Sequence, residues 1–358
     1  MSHLLDGQCG CKMGTPPGFG SAGAANSGEQ IKVRQTRAWT LMLAALAGLS
    51  IGAGPSLAQS WPQKPIMLIV PFAAGGGTDA FARPLAAQFD QQLGTRVLIE
   101  NRAGGGGTIG AAAAAKAPPD GYTFFVGAAH HAIAPAVYPK LSYSIETDFV
   151  PIGMIARPPH VVVVHPGKLA ATTLAELIAH AKANPDKINY GSAGAGTTHH
   201  LAGELFKLLT NTRINHVPYR GAGPLMQDLL AGHVDMAFDG LGTSASQIGE
   251  GRIRALAVAA PSRVAAFPNL PTAAEAGVPG YEVATWYALW APKNTPEAIV
   301  TRMTKELQTA LQVPAIKDAW ARNGSEVPDM TGADFGAFVT AEVARWGKVV
   351  QDAGVKLE

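Results

Sequence analysis

Twice in this chain an apolar strand runs into a glycine-rich loop that opens a helix, and this arrangement constrains the fold more than any other feature. The first instance occupies residues 66–89, IMLIVPFAAGGGTDAFARPLAAQF, and the second residues 188–209, INYGSAGAGTTHHLAGELFKLL. A helix start exposes unpaired N–H groups and the positive end of the helix dipole. Glycines let that backbone approach a ligand closely, so each junction is a ready anion site. Two such junctions in one chain suggest a cleft that grips a small anion from both sides.

The rest of the pattern fits the same architecture. Short apolar strands alternate with amphipathic helices, as in a parallel α/β sheet. Strands are expected at residues 66–71, 96–100, 123–127, 161–165, 188–190, 215–217, 236–238 and 255–259. Helices are expected at 79–93, 110–116, 174–184, 296–311, 314–323 and 332–353, with others between the later strands. Residues 283–290 form an apolar, aromatic-rich segment. In the last helix Phe335, Phe338, Val339, Val343, Trp346 and Val350 recur at near-helical spacing and read as a packing face. There is no tandem repeat, and no linker-like stretch separates two halves. The domains are therefore expected to interweave, with the chain crossing between them more than once.

The N-terminal region reads as an export signal. Lys32, Arg34 and Arg37 precede an apolar run over residues 38–51, and Ser56-Leu57-Ala58 offers a small–x–small cleavage site. Cleavage after Ala58 would make Gln59 the mature N-terminus and place the protein in the periplasm. The apolar run is shorter than a membrane span needs. No paired arginines precede it and no cysteine sits at the cleavage point. Residues before Ile31 lack a hydrophobic pattern and are set aside from the fold.

Removal of residues 1–58 leaves about 300 residues, which suits two domains. The chain has 28 basic and 26 acidic residues. Lys12, Lys32, Arg34 and Arg37 against Asp6 and Glu29 fall in the removed part, so the mature chain is neutral. Nothing in it resembles the basic patch that nucleic acids or anionic membranes require. Both cysteines, Cys9 and Cys11, also lie in the leader. The mature protein then has no disulfide, thiolate nucleophile or cysteine metal ligand.

In the first loop, Phe72 stands at the strand end, where it could cover a ligand, and Thr78 or Asp79 could cap the helix. A dinucleotide fingerprint is imitated by Gly75-x-Gly77-x-x-Ala80 with Glu100 downstream. However, three residues too many separate that strand from its first glycine. Gly105-x-Gly107-x-x-Gly110 matches equally well, which shows how weak the pattern is here. In the second loop Thr197 and Thr198 can cap the helix or donate hydroxyls to an anion. His199 and His200 point about 100° apart on a helix and do not chelate one metal. His200 reads as packed or capping, and His199 as lying at the mouth of the cleft. A third junction, HVPYRGAGP at residues 216–224, places Pro224 in a first helical turn and leaves Arg220 either facing an anion or on the surface. Asp239 ends a strand, where open α/β sheets bind ligands. It could accept from a ligand group or cap the next turn. His130-His131, His199-His200, His216 and His233 form no metal-binding motif, and Ser192 is outside a G-x-S-x-G frame. No nucleophile, base and orienting acid come together in sequence. No enzyme activity, metal or cofactor is expected.

These stretches together resemble the substrate-binding proteins of tripartite tricarboxylate transporters, the Bordetella uptake gene or Bug family. The resemblance runs from Trp61 to Glu358 through WPQKPIMLIVPFAAGGGTDAFAR, ENRAGGGGTIGA, PPDGYT, HAIAPAVYP, GSAGAGTTHHLAGELF, VPYRGAGPLMQDLLAGHVDMAFD, GRIRALAV, FPNLPTAAEAGVPGYEVATWYALWAP and TPEAIV. It implies an α/β, two-lobed periplasmic binding protein of the type II, flytrap-like kind with interwoven domains. Residues 59–162 plus 285–358 would form one lobe and 163–284 the other, with hinges near 161–165 and 283–290. It also implies a monomer that delivers a small carboxylate to membrane permease subunits, and no nucleic-acid partner. Carried over, the first grip is Phe72, Ala74, Gly75, Gly76, Thr78 and Asp79. The second is Gly196, Thr197 and Thr198, with His131 and Asp239 nearby. The chain departs from the family pattern at His199, where a small hydroxyl residue is common, and at Ala134, where asparagine is common. His199 is expected to influence solute choice, favouring a second carboxylate. Two other functions compete with transport. A sensor of the same fold would present solute to a receptor, and a dinucleotide enzyme would bind nicotinamide.

Overall fold

The computed structural model describes residues 61–353, which belong to one compact unit. The proposed signal segment and its cleavage site lie outside these residues. The unit is built on two five-stranded sheets.

The first sheet contains β1 (Ile66–Val70), β2 (Val97–Asn101), β3 (Thr123–Ala128), β4 (Phe149–Ala156) and β10 (Tyr287–Pro292) in the order β2-β1-β3-β10-β4. Strands β1, β2 and β3 are parallel, with Leu68 beside Ile99 on one side and Phe124 on the other. Strand β10 runs antiparallel between β3 and β4. The second sheet contains β5 (His160–Val164), β6 (Asn189–Ser192), β7 (Asn215–Pro218), β8 (Met236–Gly240) and β9 (Arg254–Val258) in the order β7-β6-β8-β5-β9. Here β6, β7 and β8 are parallel, and β5 is the antiparallel member between β8 and β9.

Successive residues of a strand point to opposite faces, and this sorts the core into layers. Phe124 packs with Phe81, Phe89 and Trp320 on one face of the first sheet, while Phe125 packs with Trp286, Trp290 and Phe335 on the other. The valine run of β5 divides the same way. Val162 and Val164 join Phe206 and Phe238, and Val161 and Val163 join Leu225 and Leu229. Both faces are covered, so these strands read as continuous apolar runs.

The helices are α1 (Gly77–Leu93), α2 (Thr108–Ala115), α3 (His130–Val137), α4 (Leu174–Ala183), α5 (Thr198–Thr210), α6 (Ala222–Leu230), α7 (Leu241–Gly249), α8 (Glu297–Gln312), α9 (Pro314–Arg322) and α10 (Gly332–Ala353). The expected packing face of α10 is real: Phe335, Val339, Trp346 and Val350 are buried in the layer that holds Trp286. Glu342 on the same helix is buried and accepts from the indole N–H groups of Trp286 (2.9 Å) and Trp346 (3.2 Å).

The chain passes between the sheets twice, just before β5 and just before β10. The two passes run side by side: Pro159 bridges Ala284, His160 N–H donates to Val283 O (2.9 Å), and Thr285 N–H donates to Pro158 O (3.2 Å). The first pass, Pro158–His160, therefore lies a few residues earlier than the hinge expected at 161–165, whereas the second, Val283–Thr285, falls within the segment expected at 283–290. Residues 161–164 are already inside the second sheet as β5, and residues 287–290 inside the first as β10. Two elements were not anticipated. Strand β4, FVPIGMIA, carries Pro151 and Gly153, which weaken a strand signal. It tolerates them because it is an edge strand. Helix α3 contains Pro135 and is only 8 residues long.

Candidate functional site

The first glycine loop leaves β1 at Pro71 and enters α1 at Gly77. Its N-cap is Gly76, which has no side-chain capping bond. This corrects the expectation that Thr78 or Asp79 caps the helix: both lie inside its first turn. The Asp79 carboxylate is nearly inaccessible. It accepts from Gly75 N–H (3.0 Å), from Arg83 Nε (2.6 Å) and Nη2 (2.9 Å), and from Asn101 Nδ2 (3.1 Å). Asp79 thus folds the loop back on the helix and ties it to the end of β2. Phe72 is buried, with its ring edge-on to His130 at 5.1 Å. Ala74 and Gly75 are exposed at the loop tip, and Gly76 and Thr78 are buried. The Tyr287 hydroxyl crowds Gly77, where an added Cβ would lie 2.2 Å from the oxygen.

The second loop leaves β6 and enters α5, whose N-cap is Thr197 as anticipated. Its hydroxyl donates to Gly194 O (2.7 Å) and accepts from His200 N–H (3.4 Å). Gly196 N–H donates to His200 Nδ1 (3.2 Å), and the His200 ring stacks on His216 at 4.1 Å. His200 is accordingly a packed, loop-tethering residue. Thr198 reaches the other half. Its N–H lies 3.1 Å and its hydroxyl 3.2 Å from His130 Nδ1.

The two halves meet directly. Ala73 N–H donates to Arg220 O (3.3 Å), and the Tyr138 hydroxyl donates to Ala195 O (2.7 Å). Gly223, near the start of α6, sits against the first loop: a Cβ there would fall 2.2 Å from Ala74 O. The Arg220 side chain is exposed and has its part in this seam through its backbone carbonyl. The arrangement is closed.

Between the loops lies a polar interior. His199 is not at the cleft mouth but 3% exposed, with Nε2 3.0 Å from Asp239 Oδ1. The other Asp239 oxygen accepts from the Ser244 hydroxyl (2.5 Å). The His199 ring lies 5.7 Å from His130 and 4.9 Å from His160. Burial, followed by repulsion from His199, holds His130 and His160 well below the usual histidine range. Burial depresses His131 to about 4; its Nδ1 is at 2.9–3.0 Å from the backbone of Ala128, and its ring packs edge-on to Phe125. His131 is therefore a core residue beneath Phe72 and Gly107. Burial and the nearby Asp239 push the Tyr287 phenol up, so it stays protonated. Among the described residues, no three His, Cys, Asp or Glu side chains are placed to share a metal ion.

Of the residues expected in the two grips, Phe72, Ala74, Gly75, Gly76 and Thr198 meet the opposite half, whereas Asp79, Gly196 and Thr197 tie their own loops in place. His160, Thr243, Ser244 and Gly223 were missed. His160 precedes an apolar run and carries no motif, and the others become visible only once the halves meet. His130 was noticed only as half of a histidine pair.

Two sheets joined by paired crossing strands, with helix starts from both halves converging on one cleft, define a periplasmic binding protein. The fold matches the structure of the periplasmic binding protein BugD, at 36% identity and TM-score 0.80 over 83% of this chain and 100% of that one. An R. palustris protein solved with adipate matches at 40% identity and TM-score 0.80, covering 83% of this chain and all of that one. MatC of Rhodopseudomonas palustris, solved with bound malate, matches at 33% identity and TM-score 0.76, covering 81% and 100%. Residues 81–355 match the model of the tripartite tricarboxylate transporter family receptor, and the chain belongs to that family.

Proposed function

We propose that this protein captures a small carboxylate in the cleft and hands it to the membrane permease subunits of a tripartite tricarboxylate-type transporter. In this reading it acts as a monomer, without turnover or cofactor, after export and cleavage following Ala58. The lobes are residues 59–162 plus 285–358 and residues 163–284. The observation that carries the proposal is the convergence of two glycine-loop helix starts, α1 and α5, from opposite halves of a closed cleft. The start of α1 has no side-chain cap, so its N–H groups and dipole can serve an anion. Phe72, Ala74, Gly75, Gly76, Thr78 and Asp79 shape the first grip, and Gly196, Thr197 and Thr198 the second, with His131, His199 and Asp239 behind them. The similar proteins solved with adipate and malate support an acidic solute.

A thermal-shift screen of the protein starting at Gln59 against small carboxylates tests this. A ligand at 100 times its dissociation constant adds about 2.7 kcal/mol, which for a chain of about 300 residues raises Tm by roughly 4 °C. A shift confined to acids with one shared chemical group is expected. Failure of every acid, combined with a neutral or cationic small molecule copurifying in native mass spectrometry, would overturn the proposal.

A further inference from the structure

A cavity of about 270 Å³ lies in the half built on the first sheet, outside both glycine loops. Ile109 and Ala112 of α2 line it together with Tyr138, Lys140, Leu141 and Tyr143 from the segment after α3. Pockets that bury small ligands usually measure about 300–1,000 Å³. This one therefore suits an occupant about the size of a substituted benzene ring.

Three features of the wall define that occupant. The Tyr143 side chain is 6% exposed, and its hydroxyl is buried without a partner among the described residues. Buried polar atoms are normally paired, and an exception calls for a partner that completes it. Burial pushes the Tyr143 phenol up, so it stays protonated and can donate. Lys140 is exposed, and no carboxylate pairs with it among the described residues. No acidic side chain lines the cavity, so the charge it carries is positive. Ile109 is 58% exposed. Covering it, together with the sides of Ala112 and Leu141, removes apolar surface from water. An apolar body with one acidic group meets all three conditions. A cation would face Lys140, and a neutral alcohol would leave that ammonium unused.

The cavity also touches the closure seam. Tyr138 forms part of its wall, and the Tyr138 hydroxyl donates to Ala195 O of the second glycine loop (2.7 Å). Gly106 packs against the same pair: an added Cβ there would lie 2.5 Å from the Tyr138 hydroxyl and 2.7 Å from Ala195 O. The pose of Tyr138 that completes the cavity is thus the pose that joins the halves. An occupant packed on that ring binds the closed state better than the open one, and a ligand with such a difference shifts the equilibrium towards closure.

We propose that this cavity is a second ligand site, separate from the cleft, for a small amphipathic monoanion, and that its occupant favours the closed state by holding Tyr138. The site does not depend on what the cleft binds.

Amide NMR of the protein starting at Gln59 tests this, with benzoate as the probe and benzyl alcohol as its neutral counterpart. Benzoate should shift the resonances of residues 108–112 and 138–143 with a dissociation constant in the millimolar range. Benzyl alcohol should bind there about fivefold more weakly, and Lys140→Glu, at an exposed position, should weaken benzoate at those resonances by about fivefold. Closure is read from amide hydrogen exchange at Gly194 and Gly196, whose N–H groups are held by Ser192 and His200 inside the second loop. Benzoate should slow it about fivefold in the wild type. Tyr138→Phe keeps the wall and removes the bond to Ala195, so it should bind benzoate normally yet lose the slowing. Lys140→Glu should lose the slowing too, because it loses the occupant. Benzoate shifts confined to the glycine loops, or benzoate and benzyl alcohol binding equally well to wild type and Lys140→Glu, overturn the site. Benzoate bound at the cavity with no slowing in the wild type, or with the slowing intact in Tyr138→Phe, overturns the coupling. Each of these outcomes leaves the proposed function standing.

Discussion

Gly223→Val should weaken solute binding by about a hundredfold, or ~2.7 kcal/mol, with little change in the stability of the protein without solute. The reason lies in what the glycine touches. A Cβ at this position would meet Ala74 O at 2.2 Å and Gly75 C and Gly76 N at 3.1 Å, all of them backbone atoms of the first grip. A flexible side chain could move aside, but this loop cannot, because Asp79 anchors Gly75 from behind. The halves would have to stay apart by a few ångströms. In an open arrangement the same valine faces solvent, and in a helix it is no worse than glycine. The substitution thus acts on closure alone. A ligand that gains its affinity in the closed state loses it in proportion to the cost of closing. Calorimetry gives the affinity and a thermal melt without solute gives the stability. Unchanged affinity would mean that the seam at Gly223 is not part of the binding-competent state.

The same seam marks where reading the chain from its sequence stops. The strands and both glycine loops were legible because apolar runs end at glycine or proline, and because a buried parallel strand such as IMLIV has no polar face to confuse the pattern. Strand β4 escaped because Pro151 and Gly153 interrupt it, and only its place at the sheet edge makes them harmless. The cap of α1 was misassigned because Thr78 and Asp79 are good capping residues, yet Asp79 is drawn inward to Arg83, Asn101 and the Gly75 amide. His199 was placed at the cleft mouth from its helix position alone. Its burial depends on His130 and His160, which are far away in the chain and are brought to it only by the crossing strands and by closure. Contacts of that kind leave no local signature. The two glycine loops could be located from sequence, whereas the burial of His199 among His130, His160 and Asp239 could not.

Asp79→Ala should be the most damaging single change at the first grip. It removes a nearly inaccessible carboxylate on which Gly75, Arg83 and Asn101 converge. The loss leaves the Gly75 N–H, whose bond is half-buried, without its acceptor and Asn101 Nδ2 with Phe72 O alone (3.0 Å), and a donor left unpaired costs about 1–3 kcal/mol. The expected loss of stability is therefore roughly 1–3 kcal/mol, which for a chain of about 300 residues lowers Tm by roughly 2–5 °C. Arg83→Ala supplies the control. The Arg83 side chain is 54% exposed, so its ion pair is screened by water and should be worth under about 1 kcal/mol. If Arg83→Ala melted as early as Asp79→Ala, the ion pair would be the source of the effect and the loop anchor would not. Asp79→Asn separates the remaining possibilities. It keeps one acceptor oxygen, so it can hold either the Gly75 amide or Asn101 but not both. Its melt should fall between wild type and Asp79→Ala. Binding should track the loop more closely than stability does, because a first grip freed from α1 no longer presents its N–H groups in one geometry. At a temperature where all three variants remain folded, calorimetry should therefore rank them wild type, Arg83→Ala, Asp79→Asn, Asp79→Ala in order of falling affinity. A variant that binds normally despite a low Tm would show that Asp79 supports the fold of the lobe without shaping the grip.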